Sequence, residues 1–409
     1  MRILLLNQFY VPDVAATGQL LHDLARTLQK RGHDVHVIAS QGAYSGGGRR
    51  LPAEETIDGI HIHRTPATGL GRGNILFAAL DYLTFYVLAT LRCFTLPRMD
   101  LCLVLTTPPF IGLAGVLLRA LRKTRLALWT MDLYPEVAVA CKVLPEGSLR
   151  HRFFARLSRL TYRKAERIFA LGDHMADRLA QAGADPDKIR VVHNWVPREA
   201  VQPVRRDRSQ MRRSLAPQKD QVILMYSGNI GRGHGLEATA EAIGQLSPGQ
   251  RDRLKVVFVG TGRMRAPLQE KVRQLELADT IEFRDYQPLE MLADSLAAGD
   301  VHLVGQRPDM VGLIVPSKLY GILAAGRAVL YVGPEQSEVA DILRESGVGW
   351  VARPHDPAGI ASAIDDILAA RDQLHAKGRD ARRTYETHFG CRRSTGRIAD
   401  ELESIAPAQ

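Results

Sequence analysis

The chain has 409 residues, 45% of them hydrophobic, and a formal net charge of +10. This length is enough for two ordinary domains with their own cores. The four cysteines have neither metal-ligand spacing nor a pairing pattern, which excludes a disulfide scaffold and predicts a reducing, cytoplasmic environment. The positive charge suits phosphorylated substrates or an anionic membrane. Because zinc-finger, recognition-helix and basic-aromatic signatures are missing from the sequence, we expect no nucleic-acid partner.

The first half of the chain alternates buried strands with helical segments. The first ten residues are too short for a signal peptide and predict a strand at 2–6, followed by a helix at 19–31 and a strand at 33–39. The loop at 7–18 lacks G-x-G-x-x-G, so a dinucleotide site is weakly supported, but its small residues let a ligand approach a helix N-terminus. This order predicts a β-α-β start with a parallel sheet. His61 and His63 are interpreted as ordinary sheet residues, because a metal needs more ligands.

Two segments of the first half leave alternatives open. Residues 77–96 are long and apolar enough for a transmembrane helix, but Asp81 and Arg92 interrupt them and the β-α-β context favours a core or interfacial helix. Residues 149–168 combine aromatic residues with a dense basic face. They predict either a helix lying on anionic lipid or a solvated surface helix, with equal weight.

Two carboxylates follow the predicted strand at 126–130. Asp132 and Glu136 lie just beyond its carboxyl end, where open α/β sheets bind ligands. A carboxylate there could accept a sugar hydroxyl or act as a base. The alternative is that Asp132 caps the next helix.

The second half restarts the α/β pattern after a polar, basic segment at 197–221. A strand at 222–227 leads into the glycine-rich loop 228–235 and a helix, which is a phosphate-binding order without the G-K-[ST] of a Walker loop. Two more strands lead into further loops, and Pro316 and Ser317 are predicted to open a helix that ends at Gly326. Lys318 adds a positive charge at the start of that helix. Together these loops indicate a nucleotide-diphosphate site.

Several motifs carry a resemblance to a known family, and they follow one another in its order and spacing from the first strand to about Asp366. They are FYVPDVAATG, TTPPF, DLYPE, VVHNWV, YSGNIGRGHGLE, FVGTG and VPSKLYGILAAGRAV. The chain resembles a retaining glycosyltransferase of the GT-B fold in the family-4 group, and especially the bacterial members that build surface polysaccharides of the O-antigen or colanic-acid kind.

The resemblance implies two facing Rossmann-like α/β domains with a cleft between them. Residues 1–197 would bind the acceptor, 198–221 would be a linker, and 222–390 would hold the nucleotide sugar. Residues 391–409 would form a helix that returns to the first domain.

The resemblance also implies roles for individual residues. Asp132 and Glu136 are the candidates for positioning the acceptor hydroxyl. The candidates for binding the donor diphosphate are Gly18, Gly228, Asn229, Gly231, Arg232, Ser317, Lys318 and Leu319. Those for binding the base or sugar are Gly260, Gly262, Tyr286, Pro288 and His234. Many family members have two glutamates eight residues apart, but here Leu313 and Gly321 occupy those positions, so no residue is assigned to the ribose.

The expected donor is a UDP-sugar, with a GDP-sugar as the open alternative, and no metal or cofactor is expected because amides and basic side chains carry the diphosphate charge. The expected acceptor is an undecaprenyl-pyrophosphate-linked sugar at the inner face of the cytoplasmic membrane, with the protein bound peripherally to that anionic surface. A soluble acceptor stays open. Two other functions fit the same architecture: a sugar-nucleotide 2-epimerase and a non-catalytic nucleotide-sugar-binding protein. A dehydrogenase is a distant fourth.

Overall fold

The computed structural model describes residues 1–13, 15–42, 50–66, 75–197, 201–215, 218, 220–231 and 233–405. The chain divides into two compact units. Unit 1 comprises Met1–His193 and Cys391–Gln409, and unit 2 comprises Asn194–Gly390. Each unit is an α/β layer structure around a mainly parallel sheet.

Unit 1 contains an eight-stranded sheet in the order β3-β4-β2-β1-β5-β6-β7-β8, in which only β3 is antiparallel to its neighbour. Its strands are β1 (Arg2–Leu6), β2 (Asp34–Ser40), β3 (Glu54–Ile57), β4 (Ile60–Thr65), β5 (Leu101–Leu105), β6 (Arg125–Trp129), β7 (Arg167–Ala170) and β8 (Ile189–Val191). Its helices are α1 (Ala16–Lys30), α2 (Ile75–Thr95), α3 (Gly112–Arg122), α4 (Glu136–Ala140), α5 (Leu149–Lys164) and α6 (Asp173–Gln181), with α16 (Cys391–Ser404) from the end of the chain.

Unit 2 contains a six-stranded parallel sheet in the order β11-β10-β9-β12-β13-β14, which is the 3-2-1-4-5-6 order of a doubly wound nucleotide-binding fold. Its strands are β9 (Val222–Ser227), β10 (Leu254–Val259), β11 (Ile281–Arg284), β12 (Val301–Gly305), β13 (Ala328–Val332) and β14 (Gly349–Ala352). Its helices are α7 (Gln210–Leu215), α8 (Glu237–Gly244), α9 (Pro248–Asp252), α10 (Arg265–Gln274), α11 (Leu292–Ala298), α12 (Lys318–Ala324), α13 (Glu338–Ser346), α14 (Pro357–Ala369) and α15 (Leu374–Thr384).

The four inner strands of unit 2, β9, β10, β12 and β13, are almost entirely buried on both faces, as parallel strands between two helical layers are, whereas the edge strands β11 and β14 are largely half-buried. In β13, Leu330 belongs to the core on one side of the sheet, whereas Val329 and Tyr331 belong to the core on the other side. This period-two division explains why the strand is an uninterrupted apolar run in the sequence.

Several boundaries differ from the sequence predictions. Helix α1 begins at Ala16 rather than at 19, and α5 ends at Lys164, so that Arg167 starts strand β7. Within the segment expected to be a linker, the described residues 201–215 belong to unit 2. The carboxylate of Asp294, in α11, accepts the backbone N–H groups of residues 210 and 211 at 2.8 and 3.0 Å and thereby holds the start of α7.

The apolar segment at 77–96 lies in helix α2 except for its last residue, Leu96. Phe85, Ala89 and Cys93 are buried, while the opposite face is exposed to solvent. Among the described residues, no helix combines the length and the apolar character that crossing a membrane requires.

The last helix, α16, packs on α1 within unit 1. Ion pairs connect α16 to the end of α1 and the residues after it. Arg31 binds Asp400 at 2.7 Å and Glu403 at 3.0 Å, and His33 Nε2 lies 2.8 Å from the carboxylate of Glu403. Since single exposed pairs contribute little, the apolar face of α16, with Ile398 and Leu402 fully buried, supplies most of the attachment.

Candidate functional site

Two glycine-rich loops interlock at the carboxyl end of the unit 2 sheet, after β9 and β10. The backbone N–H of Gly228 donates to the carbonyl of Val259 at 2.9 Å. A Cβ on Gly260 would lie 2.1 Å from the carbonyl oxygen of Gly228, and a Cβ on Gly262 would lie 2.3 Å from that of Ile230. Any side chain at 260 or 262 would therefore separate the loops, so these glycines are required for their packing.

The ammonium group of Lys318 lies against this pair of loops. Its Nζ donates to the hydroxyl of Tyr226 at 2.5 Å and lies 3.8 Å from the centroid of that ring. The Tyr226 hydroxyl in turn donates to the carbonyl of Asn229 at 2.6 Å. A Cβ on Gly228 would lie 3.5 Å from Nζ, so the ammonium is next to the first residue of the β9 loop. Burial lowers the pKa of Lys318 to about 7, and a bound anion would raise it again.

His234 is neutral and has a defined tautomer. Its Nδ1 lies 3.2 Å from the carbonyl oxygen of Gly305, and a carbonyl only accepts, so Nδ1 carries the proton and Nε2 is an acceptor. Burial, and then the charge of Lys318, lower the pKa of His234 to about 4. At neutral pH this imidazole can therefore accept a hydrogen bond from a hydroxyl group through Nε2 but cannot bind an anion as a cation.

Helix α12 differs from its predicted form. It has only seven residues, and Ser317 has a helical backbone conformation without a capping side-chain bond. Its C-terminal end follows the prediction, since Gly326 takes a left-handed φ of 67°. Because the helix is so short, Lys318 is the stronger source of positive charge at its start.

The predicted donor-site residues largely come together. At the carboxyl edge of the unit 2 sheet, the loops after β9, β10 and β12 carry Gly228, Asn229, Gly231, His234, Gly260, Gly262 and Ser317, and Lys318 and Leu319 begin helix α12. Tyr286 and Pro288 are exposed. They follow β11, the outermost strand on one side of the sheet, and therefore also lie at its carboxyl edge. Arg232 lies outside the described residues. Leu313 is 5% exposed, so the position of the first family glutamate is filled by a buried apolar side chain.

Two residues that shape this candidate site were not identified from the sequence. Tyr226 supports Lys318, as described above. Gln306, 3% exposed, donates through Nε2 to the carbonyls of Met310 and Ile314 at 3.3 and 3.1 Å, and its Oε1 accepts from the Tyr331 hydroxyl at 2.8 Å. It thereby fixes the loop that leads to Ser317. The sequence signal that could have identified Gln306 is its position as a polar residue directly after the buried strand β12.

In unit 1, Asp132 follows β6 as predicted. The backbone N–H groups of Met131 and Asp132 donate to the hydroxyl of Thr106 at 2.9 and 3.1 Å, which joins the loops after β5 and β6. Burial raises the pKa of Asp132 to about 6, and a cavity of about 30 Å³ adjoins it between Tyr134 and Tyr162. A cavity of that size holds a single water molecule or hydroxyl group.

The alternative role of Asp132 as a helix cap is wrong. Helix α4 begins at Glu136, its N-terminal flanking residue is Pro135, and no side chain caps it. Glu136 lies close enough to Tyr162 that, after burial, its charge contributes to the raised pKa of that phenol. Both predicted carboxylates therefore border the same tyrosine-lined region.

Gly18 lies in the first turn of α1 rather than in the preceding loop. It is buried, and a Cβ there would be 3.1 Å from the carbonyl carbon and oxygen of Phe9. The glycine lets the helix contact the backbone of the loop after β1. Among the described residues, no group of three or more His, Cys, Asp or Glu could hold a metal ion.

Comparison with known families assigns both halves of the chain. Residues 16–195 match the glycosyl transferase 4-like domain, and residues 207–384 match the glycosyl transferases group 1 domain. The chain belongs to the family-4 GT-B glycosyltransferases. The family that the sequence motifs predicted is thereby confirmed.

Two relatives agree with this assignment. WbjE of Pseudomonas aeruginosa, described as a glycosyltransferase, is 31% identical over 66% of this chain and 66% of its own length. WcaI of Escherichia coli (strain K12), described as a colanic acid biosynthesis glycosyl transferase, is 23% identical over 90% of this chain and 92% of its own length.

Solved structures confirm the fold of this glycosyltransferase. Sucrose-phosphate synthase from Thermosynechococcus elongatus superposes with a TM-score of 0.78 at 16% identity, covering 99% of both chains. Anabaena Alr3699/HepE in complex with UDP-glucose superposes with a TM-score of 0.72 at 15% identity, covering 99% of this chain and 100% of that one. The predicted GT-B architecture of two parallel-sheet α/β domains is confirmed.

Proposed function

We propose that the loops after β9, β10 and β12 bind the diphosphate of a nucleotide sugar. The observation that carries this proposal is the ammonium of Lys318 beside Gly228, at the carboxyl edge of a doubly wound sheet. Backbone N–H groups of the two glycine loops and this one cation supply the positive potential that a leaving diphosphate needs. The binding is metal-independent on this account, because these groups neutralise the diphosphate themselves.

The donor is a UDP-sugar. The structural neighbour HepE, crystallised with UDP-glucose, supports this choice. Tyr286 and Pro288, exposed beyond β11, contact the base, and Nε2 of His234 accepts a hydrogen bond from a sugar hydroxyl. A GDP-sugar is the alternative that the donor panel below distinguishes.

The reaction is glycosyl transfer with retention at the anomeric carbon. The bond between that carbon and the diphosphate oxygen breaks, and a bond to the acceptor oxygen forms on the same face of the sugar. The acceptor hydroxyl gives its proton to the departing phosphate, so no protein base is needed. Asp132, assisted by Glu136, positions that hydroxyl, for which its carboxylate is ionised above its pKa of about 6.

The acceptor is a lipid-linked sugar, carried on undecaprenyl pyrophosphate, in surface-polysaccharide synthesis. The relative WcaI, described as acting in colanic acid biosynthesis, supports this pathway class. On this account the enzyme works at the cytoplasmic face of the membrane, to which it binds peripherally.

A continuous helical surface of unit 1 suits that membrane. Helix α3 packs against both α2 and α5, and all three expose apolar side chains. We call this the α2–α3–α5 surface; its exposed apolar residues are Leu83, Val87, Leu91, Leu117, Leu121, Leu149, Phe153 and Leu160. Its exposed basic residues on α5 are Arg150, Arg152, Arg156, Arg159, Arg163 and Lys164. Apolar side chains mixed with cations are what an anionic lipid surface attracts.

The proposal is tested with a panel of UDP- and GDP-sugars, each incubated with the purified protein and an undecaprenyl-pyrophosphate-linked sugar, while released nucleoside diphosphate is measured. One UDP-sugar should give release that depends on the acceptor. Binding without release would indicate a non-catalytic protein, and isomerisation without an acceptor would indicate an epimerase. Either result would overturn the transferase reaction proposed here.

A further inference from the structure

A second, strongly basic cavity lies at the other end of the unit 2 sheet. Its volume is about 680 Å³, which is within the range of small-molecule sites. Arg327 comes directly before β13, so the cavity is at the amino ends of the parallel strands, whereas the proposed donor loops follow their carboxyl ends. Its lining includes Arg205, Arg206, Asp207, Arg327, Arg379 and Arg382.

A contact between two backbones holds the walls of this cavity together. Gly378 lies inside helix α15, a position at which glycine is less favourable than alanine. A Cβ at that position would be 2.4 Å from the carbonyl oxygen of Gly326. The glycine therefore lets α15 touch the turn at the end of α12, and this contact brings Arg379 and Arg382 of the helix beside Arg327.

Positive charge exceeds negative charge around the cavity, because its lining has five arginines and one carboxylate. That carboxylate, Asp207, is held by Arg205 through two bonds of 3.1 and 2.7 Å. Behind the lining, the buried Asp300 is bound by Arg206 at 2.7 Å and by Arg212 at 3.1 Å.

The other arginines differ in whether a carboxylate neutralises them. Arg382 pairs with Glu386 at 2.7 Å, but Arg327 forms no ion pair with a carboxylate among the described residues. Its Nη2 donates to the carbonyls of Val204 and Ala297 at 2.9 and 3.0 Å, while its buried Nε lacks a partner within the described part of the chain. Burial lowers the pKa of Arg327 to about 10. A desolvated guanidinium with an unmet donor is stabilised when an anion binds nearby.

We propose that this cavity is a second anion site, which binds a phosphate or diphosphate group independently of the nucleotide sugar. Arginine forks suit phosphate oxygens, and Arg205, Arg327 and Arg379 surround the space. The phosphate belongs either to a soluble phosphorylated metabolite or to the headgroup of an anionic lipid. Both sources present the same chemistry to the cavity, and the experiment separates them.

The soluble source is tested by calorimetric titration of sodium pyrophosphate into the full-length protein with UDP in excess, so that the proposed donor site is filled. Saturable binding is expected, at least tenfold weaker in the double variant Arg205→Gln/Arg379→Gln. Arg379→Gln alone is a second, milder variant. The matched control is Arg383→Gln on the same helix, since Arg383 is 78% exposed, pairs with Asp380 and does not line the cavity.

The lipid source is tested by sedimentation with phosphatidylcholine vesicles that contain or lack phosphatidylglycerol. Binding to the anionic vesicles that falls in Arg205→Gln/Arg379→Gln but not in Arg383→Gln would assign the cavity to a lipid phosphate. The proposal is overturned if neither probe binds, or if binding is equal in the wild type and in the cavity variants. Because the cavity variants locate the binding, this result does not depend on whether the enzyme transfers sugar.

Discussion

At the scale of single residues, we propose that donor binding depends on Lys318. Its ammonium donates to Tyr226 and lies beside Gly228 of the β9 loop, and burial lowers its pKa to about 7. A bound diphosphate favours the charged form, so binding above pH 7 takes up a proton. We expect the affinity for UDP to fall between pH 7 and pH 9, by at most about tenfold per pH unit. Calorimetry in buffers of different ionisation enthalpy measures this uptake directly.

Removing the Lys318 charge should weaken UDP binding. We expect Lys318→Gln to lower the affinity by roughly tenfold to a hundredfold, the range for a lost charge-assisted hydrogen bond. In this variant the UDP affinity should no longer depend on pH between 7 and 9. Lys271→Gln is the control, because Lys271 binds Glu241 on the surface of the same unit. An unchanged affinity in Lys318→Gln would place the diphosphate elsewhere.

Asp132 should affect turnover rather than donor binding. We expect Asp132→Asn to reduce turnover on the order of a hundredfold, with the UDP affinity unchanged. In the wild type, kcat/KM should rise with pH through about 6, where this carboxylate ionises. Asp177→Asn, exposed in the same unit, is the control. Equal rates in the wild type and Asp132→Asn would remove Asp132 from the site.

The ionised carboxylate of Asp132 should also lower the free energy of unfolding. Burial raises its pKa in the folded state, so its ionisation destabilises the fold as the pH rises through about 6. Asp132→Asn should therefore have a higher thermal midpoint than the wild type at pH 8, and little difference at pH 4. Calorimetric melting at both pH values measures this, and a lower midpoint at pH 8 would show that the charge has a stabilising partner.

At the scale of elements, the interlocked loops after β9 and β10 should tolerate no added methyl group. Gly260→Ala places a Cβ 2.1 Å from the Gly228 carbonyl oxygen at a φ of 136°. We expect the free energy of unfolding to fall by about 1–3 kcal/mol. We also expect UDP binding to be lost. Gly249→Ala is the matched control in α9, since a Cβ there meets nothing within 4 Å. A Gly260→Ala protein that binds UDP normally would contradict this packing role.

Helix α5 should bind anionic lipid through its exposed arginines. Because each cation near such a surface contributes about 1 kcal/mol, changing Arg152, Arg156 and Arg163 to Glu should weaken vesicle binding well beyond tenfold. The control reverses the same number of charges in unit 2, at Arg273, Arg344 and Arg383, all more than half exposed. Sedimentation with phosphatidylglycerol vesicles measures both. Equal loss in both proteins would favour a solvated helix.

At the scale of the whole molecule, the sequence predicts the order of elements well. Buried strands such as β9, β10 and β13 are uninterrupted apolar runs, and the glycine loops that follow β9 and β10 mark their carboxyl ends. Since parallel strands align their carboxyl ends, most of the candidate donor residues could be grouped at one edge before the structure was known.

Contacts between distant segments could not be predicted in this way. The bond between Lys318 and Tyr226 joins residues 92 positions apart, and neither has a local signal for it. Ser317 has the residue type of a cap, but its backbone is already helical and its side chain makes no capping bond. The loop before it is held by Gln306, which donates to the carbonyl of Ile314. The polar composition of the segment before β9 predicted a linker, and the bonds that attach its residues 210 and 211 to Asp294, more than 80 positions away, have no local signal in the sequence.

The most direct test of the account is the anomeric configuration of the product. The donor found in the panel is supplied with ¹³C at its anomeric carbon, and the lipid-linked product is analysed by NMR. We expect the label in the lipid-linked sugar with the same anomeric configuration as in the donor, and no labelled product without the acceptor. A product of the opposite configuration, or label that never leaves the nucleotide sugar, would contradict retaining transfer by this chain.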